Sequence, residues 1–358
     1  MYKKFFMGIA AMAALTLVSC SSDDLNSLSD NSSKNEAISF DGYLGRSAVA
    51  VNGSRGSEVK IDNLQNSDKG FGVFGNYNST GGQNFGANLF NNQPVTYSST
   101  PGTESKKWTY KPVKYWPTEG HIDFLAYAPY NVGTFENTYC LNFTVSETIA
   151  SQIDLLWAKA VGQTKEKGTV TFNFAHALSR LGYSVKLKDA SYESVATITL
   201  NKITLAGSKD LTQNAFYKEG TIDLSTGNWS TASSKGADYN AAKQNFEWSS
   251  SDKTLSYDDN KVIKNSDSEY LFVIPQNFSN GNANNDQLYV IVEYTISYKD
   301  GVKATIKNKV CKQLTNNFLK SKAYTINLTI GLTPIEFNAE VTGWDPINGD
   351  AIDIDSWK

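Results

Sequence analysis

The sequence predicts an all-β protein in which an N-terminal leader and tether precede two antiparallel β-sandwich domains. Beyond residue 37, hydrophobic residues recur at every second position, which is the period of a strand with one buried face. Clusters of Gly, Asn, Ser and Asp separate these runs, as turns do. The chain has 358 residues, and the roughly 320 that follow the tether usually divide into two domains.

The first 19 residues predict a secretory signal peptide, because Lys3 and Lys4 precede an apolar run from Phe5 to Val18. At roughly 14 residues, this run is shorter than the 20 or so that span a membrane. It ends in Leu17-Val18-Ser19-Cys20, which matches the lipobox of bacterial lipoproteins. Cys20 is therefore expected to become the lipidated N-terminus that holds the protein in a membrane. The alternative is an ordinary signal peptide that happens to end in cysteine.

Residues 20–36 predict a disordered tether. Asn, Ser and Asp dominate this segment and only Leu25 and Leu28 are apolar, which is too little apolar surface to fold. The Ser21-Ser22-Asp23-Asp24 run behind the cysteine resembles the surface-export signal of Bacteroidetes lipoproteins. We therefore expect an outer-membrane lipoprotein that faces the outside of the cell.

Some of the following runs alternate apolar with polar residues, and others are rich in β-branched and aromatic residues. Both kinds predict strands with one buried face. A short helix is expected at residues 151–158, and no long helix is predicted. The candidate strands begin with Ile38-Ser39-Phe40 and continue with Phe71-Gly72-Val73-Phe74, Ile122 to Tyr127, a run starting near Val170, Val290 to Thr295, Tyr324 to Ile330, and Ile335 to Val341.

The domain boundary is expected in the polar stretch of residues 161–168. This stretch separates an apolar block that ends at Ala160 from the strand starting near Val170, and boundaries usually lie in such polar segments. The predicted domains are residues 37–165 and residues 166–358. Each is long enough to form its own sandwich core.

Charge and cysteine content narrow the functional classes. The net charge is −3 and no basic patch occurs, so nucleic acid is not an expected partner. Cys140 and Cys311 lie far apart, without a CxxC pair or a nearby histidine, which argues against a metal site. Two buried free thiols are the preferred interpretation, and a disulfide is the alternative.

No constellation for catalysis is evident. The sequence has two histidines, His121 and His176, and neither lies in a motif that supplies a catalytic partner. The GxSxG, HExxH and P-loop patterns do not occur. We therefore predict a protein that is not an enzyme, with no catalytic residue, metal or cofactor, and with both histidines in structural roles.

A dense aromatic cluster is the other candidate for a binding function. Large aromatic side chains of this kind usually form a core, but exposed ones could stack on sugars. A surface glycan-binding lipoprotein is therefore an alternative function. The cluster comprises Trp108, Tyr110, Tyr115, Trp116, Tyr127 and Tyr130.

The same region carries a family resemblance. The motifs around Trp108, residues 114–117 and residues 122–130 resemble the N-terminal domain of the fimbrillin family of Bacteroidetes, the subunits of type V pili. Further motifs follow in the order found in that family, over nearly the whole mature chain. They are Asp154 to Ala158, Phe174 to Ser179, Gly220 to Leu224 with Trp229, Leu271 to Gln276, and Val341 with Trp344.

The resemblance implies two transthyretin-like sandwich domains and a polymer assembled outside the cell. In this family, an arginine-directed protease cuts the exported lipoprotein in the loop after its first strand. The vacated groove then accepts a strand from another subunit by β-strand addition. The expected function is therefore a structural or tip subunit of a pilus (fimbrium) that serves adhesion, with an anchor subunit as an alternative.

On this chain, the resemblance makes Ile38 and Phe40 members of the strand to be displaced. Arg55 is the favoured cleavage site because it lies in Gly53-Ser54-Arg55-Gly56-Ser57, a sequence that suits a protease-accessible loop. Arg46 is the second candidate, and an ordinary surface arginine is the alternative at either position.

Two C-terminal segments could donate a strand. The preferred donor comprises Ala351, Ile352, Ile354 and Trp357, because it is terminal and places Ile352 and Ile354 on one face. The second candidate is Ile335 to Val341, whose alternation also suits an integral strand. The expected partners are thus other pilus subunits, the membrane through the lipid on Cys20, an arginine-specific protease, and a host or glycan receptor.

Overall fold

The computed structural model describes residues 36–44, 64–65, 69–99, 106–231, 237–278, 286–331 and 336–343, and these residues form mainly strands. The predicted all-β class is confirmed. The strands are β1 Phe40–Leu44, β2 Phe71–Asn78, β3 Phe90–Ser99, β4 Lys106–Thr109, β5 His121–Ala128, β6 Thr134–Asn137, β7 Cys140–Thr144, β8 Leu156–Gln163, β9 Val170–His176, β10 Ser179–Leu187, β11 Ala196–Ala206, β12 Phe216–Tyr217, β13 Glu219–Asp223, β14 Asn228–Ser230, β15 Lys243–Gln244, β16 Phe246–Thr254, β17 Ile263–Lys264, β18 Leu271–Val273, β19 Gln276–Asn277, β20 Leu288–Tyr298, β21 Ile306–Leu314, β22 Asn317–Phe318, β23 Lys322–Ile330 and β24 Glu336–Gly343.

Helical segments are short connections between these strands. One-turn α-helices occupy Ser191–Val195 and Ala237–Ala241, and 3₁₀ turns occupy Ile149–Ser151, Lys165–Lys167, Asp259–Lys261 and Asp267–Glu269. The helix expected at residues 151–158 is wrong, because the 3₁₀ turn ends at Ser151 and β8 starts at Leu156. Leu156 pairs with Ala128 of β5 and with His176 of β9, so strand pairing outweighs the local preference.

The N-terminal part of the chain forms a seven-stranded sheet in the order β1-β9-β8-β5-β2-β3-β4. Adjacent strands in this sheet are antiparallel, except that β1 runs parallel to β9. One face encloses a first hydrophobic core that draws residues from all seven strands, from Phe40 in β1 to Trp108 in β4. Trp108 stacks edge-on against Phe71 of β2, with ring centroids 4.7 Å apart. Because both ends of the sheet contribute to one core, the sheet curls around it.

The C-terminal part contains two larger sheets around a second hydrophobic core. One has the order β17-β10-β23-β24, with β18 also paired to β10, and the other has the order β16-β11-β20-β21. The predicted alternation in β23 is confirmed, since Tyr324, Ile326, Leu328 and Ile330 are all buried. The side chains between them are partly exposed.

A further four-stranded sheet, β14-β13-β7-β6, joins strands from both parts of the chain. It pairs β7 with β13 in antiparallel register from Cys140↔Asp223 to Thr144↔Glu219. Phe135 of β6 covers Phe74 of the seven-stranded sheet, with ring centroids 4.9 Å apart. The domain boundary after residue 165 stays a prediction; the strand that follows it, β9, pairs with β1 and β8.

Candidate functional site at the first strand

The first strand lies at one end of the seven-stranded sheet. It pairs in parallel with β9, from Phe40↔Val170 to Leu44↔Phe174. The backbone bond between Val170 N–H and Ser39 O, at 2.9 Å, extends this contact to the residue before β1. Non-local pairing of this kind brings together segments that are far apart in the sequence.

The residues immediately before β1 pair with a different part of the protein. Ala37 forms an antiparallel bridge with Tyr115. Ile38 N donates to Lys114 O at 2.9 Å, and Trp116 N donates to Glu36 O at 2.9 Å. Residues 36–44, which we call the N-terminal segment, therefore satisfy backbone groups on both β9 and residues 114–116. Removing this segment would leave unpaired groups on two sides of one groove.

Phe40 fills the centre of this groove. Its ring lies 5.2 Å from that of Tyr110, 5.4 Å from Phe90, 5.5 Å from Phe124 and 5.7 Å from Phe172, measured between centroids. Aromatic contacts at such distances add to the stabilisation from burial. Phe40 therefore anchors the N-terminal segment in the first core.

The other inward residues of the segment are also buried. Ile38 is 2% exposed and Leu44 is 9% exposed, whereas Tyr43 on the opposite face is 48% exposed. Asp41, the other outward residue of β1, accepts a bond from Gly42 N at 2.8 Å and remains exposed. The segment thus presents one apolar face to the groove and one polar face to solvent.

Tyr110 supplies a polar contact that sequence reasoning missed. Its hydroxyl donates to Ile38 O at 2.7 Å. Burial raises the pKa of the Tyr110 hydroxyl above its ordinary value, so the group remains a protonated donor. The aromatic cluster was a signal for this position, because buried tyrosines usually direct the hydroxyl to a partner, but the identity of the partner required the fold.

Most of the other predicted site residues lie outside the described residues. This applies to the lipidation residue, both arginines and the preferred donor segment: Cys20, Arg46, Arg55, Ala351, Ile352, Ile354 and Trp357. The described part of the first strand ends at Leu44, shortly before Arg46. These assignments stay predictions.

The second donor candidate falls largely within β24. This strand pairs with β23 in antiparallel register, from Lys322↔Gly343 to Thr329↔Glu336. Residues 336–343 therefore already belong to a sheet of the same chain.

The aromatic cluster contributes mainly to the interior. Trp108, Trp116 and Tyr127 are buried, while Tyr115 is 45% exposed. A flat row of exposed rings would favour sugar stacking, but these indoles and the Tyr127 ring are not available at the surface. The groove covered by the N-terminal segment is the arrangement expected for strand assembly.

Both histidines lie in hydrogen-bonded surroundings. His176 Nδ1 lies 2.8 and 3.0 Å from the two carboxylate oxygens of buried Asp154. His121 Nε2 lies 3.0 Å from Gly82 O and 3.5 Å from Asp123 Oδ2. The partner Asp154 was not identified from sequence, because no spacing rule connects a residue in the loop before β8 with one at the end of β9.

Several other features bear on possible ligands and anchors. The described residues contain no cluster of three or more His, Cys, Asp or Glu residues arranged to hold a metal ion. In the same part of the chain, no helix combines the length and apolar character needed to cross a membrane. Cys140 and Cys311 are free thiols, but the expectation that both are buried is wrong. Cys140 is only partly buried, and Cys311 is exposed on the edge strand β21.

Comparisons with known proteins agree with this architecture. A family model described as fimbrillin-like matches residues 58–344. The fimbrium subunit Fim1C of Phocaeicola vulgatus is 28% identical, covering 97% of this chain and 98% of that protein. The crystal structure of a fimbrial protein from Bacteroides vulgatus superposes with a TM-score of 0.66 at 23% identity, covering 86% of this chain and 99% of that chain. The last comparison shows a shared fold.

Proposed function

The chain belongs to the fimbrillin-like family, and from that premise we propose that it is a subunit of a cell-surface pilus that serves adhesion. In this proposal, an arginine-specific protease releases the N-terminal segment, and a strand from another subunit takes its place. The protein acts through assembly rather than catalysis. The proposal covers both a structural position in the stalk and a position at the tip.

The position of the N-terminal segment carries the proposal. Its inward residues Ile38 and Phe40 are buried, and its backbone bonds both to β9 and to residues 114–116. Departure of the segment would expose an apolar groove together with unpaired backbone donors and acceptors. An incoming strand would restore both types of interaction, which is the physical basis of β-strand addition.

The C-terminal sequence resembles that of the N-terminal segment, as we expect of a donor strand that takes its place. Residues 38–43 read Ile-Ser-Phe-Asp-Gly-Tyr, and residues 352–357 read Ile-Asp-Ile-Asp-Ser-Trp. Both place large apolar residues at the first and third positions and a small residue at the fifth. In the matching register, Ile354 would enter the site of Phe40, and Ser356 would replace buried Gly42.

Residues 335–341 carry a similar pattern, Ile-Glu-Phe-Asn-Ala-Glu-Val. However, β24 already pairs with β23 along residues 336–343, and its release would break that ladder. The terminal segment 351–357 is therefore the donor that we propose.

An arginine-specific protease has few possible cleavage sites in this sequence, so the cut can be assigned by experiment. The sequence has three arginines, at positions 46, 55 and 180. Arg180 lies on β10 between two paired strands, opposite Phe272 of β18 and Ala323 of β23. A protease needs a locally extended, accessible chain, so cleavage in the native protein is proposed at Arg55 or Arg46.

Treatment with an arginine-specific protease is expected to convert the monomeric precursor into polymers. Cleavage opens the groove, and residues 351–357 of a second copy fill it. The measurement is size-exclusion chromatography and electron microscopy, with mass spectrometry to identify the cut. The Arg46→Ala/Arg55→Ala variant should remain monomeric under the same treatment.

A chain truncated after Asp350 separates cleavage from donation. After cutting, it should lose the N-terminal segment but form no polymer, and a peptide of residues 351–358 should bind its open groove. If the cut full-length protein stays monomeric with the N-terminal segment still bound, strand exchange is wrong for this protein. If cut, truncated protein still polymerises, the donor assignment alone is wrong.

Lipid on Cys20 is proposed as the anchor that holds the precursor at the outer membrane. Cys20→Ala is expected to move the protein from the membrane fraction to the soluble fraction, because acyl chains provide the hydrophobic attachment. Membrane fractionation and detergent phase partitioning measure this change. Cys311→Ala is a matched control that removes an exposed thiol and should leave partitioning unchanged. Retention of the Cys20→Ala variant in the membrane would contradict lipid anchoring.

A further inference from the structure

A buried lysine and carboxylate meet in the C-terminal part of the protein, away from the first strand. Lys243 lies on β15, and Asp286 lies shortly before β20. Their side chains are 3% and 12% exposed, and Lys243 Nζ contacts Asp286 Oδ1. A lysine is rarely buried so completely. By contrast, the pair Lys186–Asp259 joins side chains that are 39% and 80% exposed.

The surroundings of the pair are aromatic. Lys243 Nζ lies 3.8 Å from the ring centroid of Tyr239 and 4.8 Å from that of Tyr217. The two tyrosine hydroxyls lie 3.2 Å apart. The amine therefore lies against two aromatic rings and beside one carboxylate, with little access to water.

The two oxygens of Asp286 have different partners. The Tyr239 hydroxyl donates to Oδ1, which is also the oxygen that Lys243 contacts. Gln276 Nε2 donates to Oδ2 at 2.5 Å, and the same amide donates to Ala215 O at 2.9 Å. This second contact holds the Gln276 amide in place. The carboxyl group thus has a proton donor at one oxygen and a fixed amide donor at the other.

We propose that Lys243 and Asp286 condense to form an intramolecular amide cross-link. The reaction starts from the neutral amine and the neutral carboxylic acid, which form when the proton of the ammonium group passes to the carboxylate. Lys243 Nζ attacks Asp286 Cγ and forms the C–N bond. The C–Oδ1 bond then breaks, and Oδ1 leaves as water with one proton from the acid and one from the amine. The reaction involves no oxidation or reduction, and it needs no co-reactant.

The neighbouring groups have defined roles in this reaction. Gln276 stabilises negative charge that develops on Oδ2, which becomes the amide oxygen. Tyr239 assists the departure of Oδ1 as a general acid and recovers its proton from the attacking amine. Burial raises the pKa of the Tyr239 hydroxyl, and the bond to Asp286 raises it further, so the hydroxyl remains protonated before reaction.

The location favours condensation in three ways. Burial lowers the pKa of the Lys243 amine, opposed in part by Asp286, which increases the share of the nucleophilic form. Fixed contact between the groups acts as an effective concentration that reaches the order of 10⁵–10⁸ M in well-oriented systems. The product also removes two charges from a site where burying them is costly.

The cross-link would tie β15 to the start of β20 independently of the pilus assignment. In a subunit that transmits force, such a bond would prevent the segment between residues 243 and 286 from extending. Its presence is a property of the single chain and does not require strand exchange.

Mass spectrometry of the folded full-length protein provides the test. Tryptic digestion should yield one species in which residues 236–253 and 265–299 are joined, lighter than the two peptides together by one water. Fragmentation should place the link between Lys243 and Asp286. Recovery of only the separate peptides 236–243, 244–253 and 265–299, with cleavage after Lys243, would overturn the proposal and leave a non-covalent ion pair.

Three variants test the chemistry. Lys243→Arg should abolish the joined peptide, because the guanidinium does not act as the attacking amine. Asp286→Asn should still give the same product by loss of ammonia, and Tyr239→Phe should lower the joined fraction. The exposed pair Lys186–Asp259, whose atoms lie 2.7 Å apart, should remain unlinked in the same digest. Equal cross-linking at that pair, or an unchanged species in Lys243→Arg, would contradict the assignment.

Discussion

Phe40→Ala is expected to lower the free energy of unfolding of the uncut protein by about 3–5 kcal/mol, the usual range for a buried phenylalanine. The side chain is 5% exposed and contacts the rings of Phe90, Tyr110, Phe124 and Phe172. Truncation would remove these contacts and leave a cavity at the centre of the first core. Denaturant unfolding at equilibrium measures the change.

The same strand offers a matched control. Tyr43 is also aromatic and lies on β1, but its side chain is 48% exposed. Tyr43→Ala should change stability by only about 0.5 kcal/mol. Equal effects of the two substitutions would mean that the N-terminal segment does not anchor the groove through Phe40.

If strand exchange occurs, Phe40→Ala should have a different effect after cleavage than before it. Residue 40 precedes both proposed cleavage sites and would leave with the released segment. In the proposed polymer, the Phe40→Ala subunit should therefore be as stable as the wild-type subunit. The weaker segment should also leave sooner after cutting, so polymers should form faster.

His176→Ala is expected to lower the free energy of unfolding by about 2–3 kcal/mol, because a buried hydrogen-bonding group loses its partner. His176 is 7% exposed, and Asp154 is 1% exposed. The substitution would take away the imidazole that lies 2.8 and 3.0 Å from the Asp154 oxygens. It would also leave a cavity at the end of β9. Thermal and denaturant unfolding should both report the loss.

His121 is the comparison residue for this prediction. Its side chain is 17% exposed and lies 3.5 Å from Asp123, whose carboxylate also accepts bonds from Asn78 Nδ2, Asn84 N and Gly162 N. His121→Ala should therefore cost only about 1 kcal/mol, the usual value of one hydrogen bond. If His121→Ala lowered the free energy of unfolding more than His176→Ala, the prediction that the Asp154–His176 contact is the more stabilising one would be wrong.

Much of the fold class could be predicted from local patterns. Alternation in residues 324–330 indicated a strand with one buried face, and β23 has that form. The apolar spacing of Ile38 and Phe40 also indicated which side chains would turn inward. Helix propensity at residues 151–158 was misleading, because β8 gains backbone bonds on both sides that no local pattern records.

The sequence by itself determined the periodicity, the leader pattern and the family motifs, since each is a property of neighbouring residues. Only the tertiary structure decided that residues 36–44 lie between β9 and residues 114–116. It also decided that Asp154 meets His176 and that Cys311 faces solvent. The physical reason is that side-chain alternation follows from the strand itself, whereas pairing partners depend on how distant segments share one core and complete each other's hydrogen bonds.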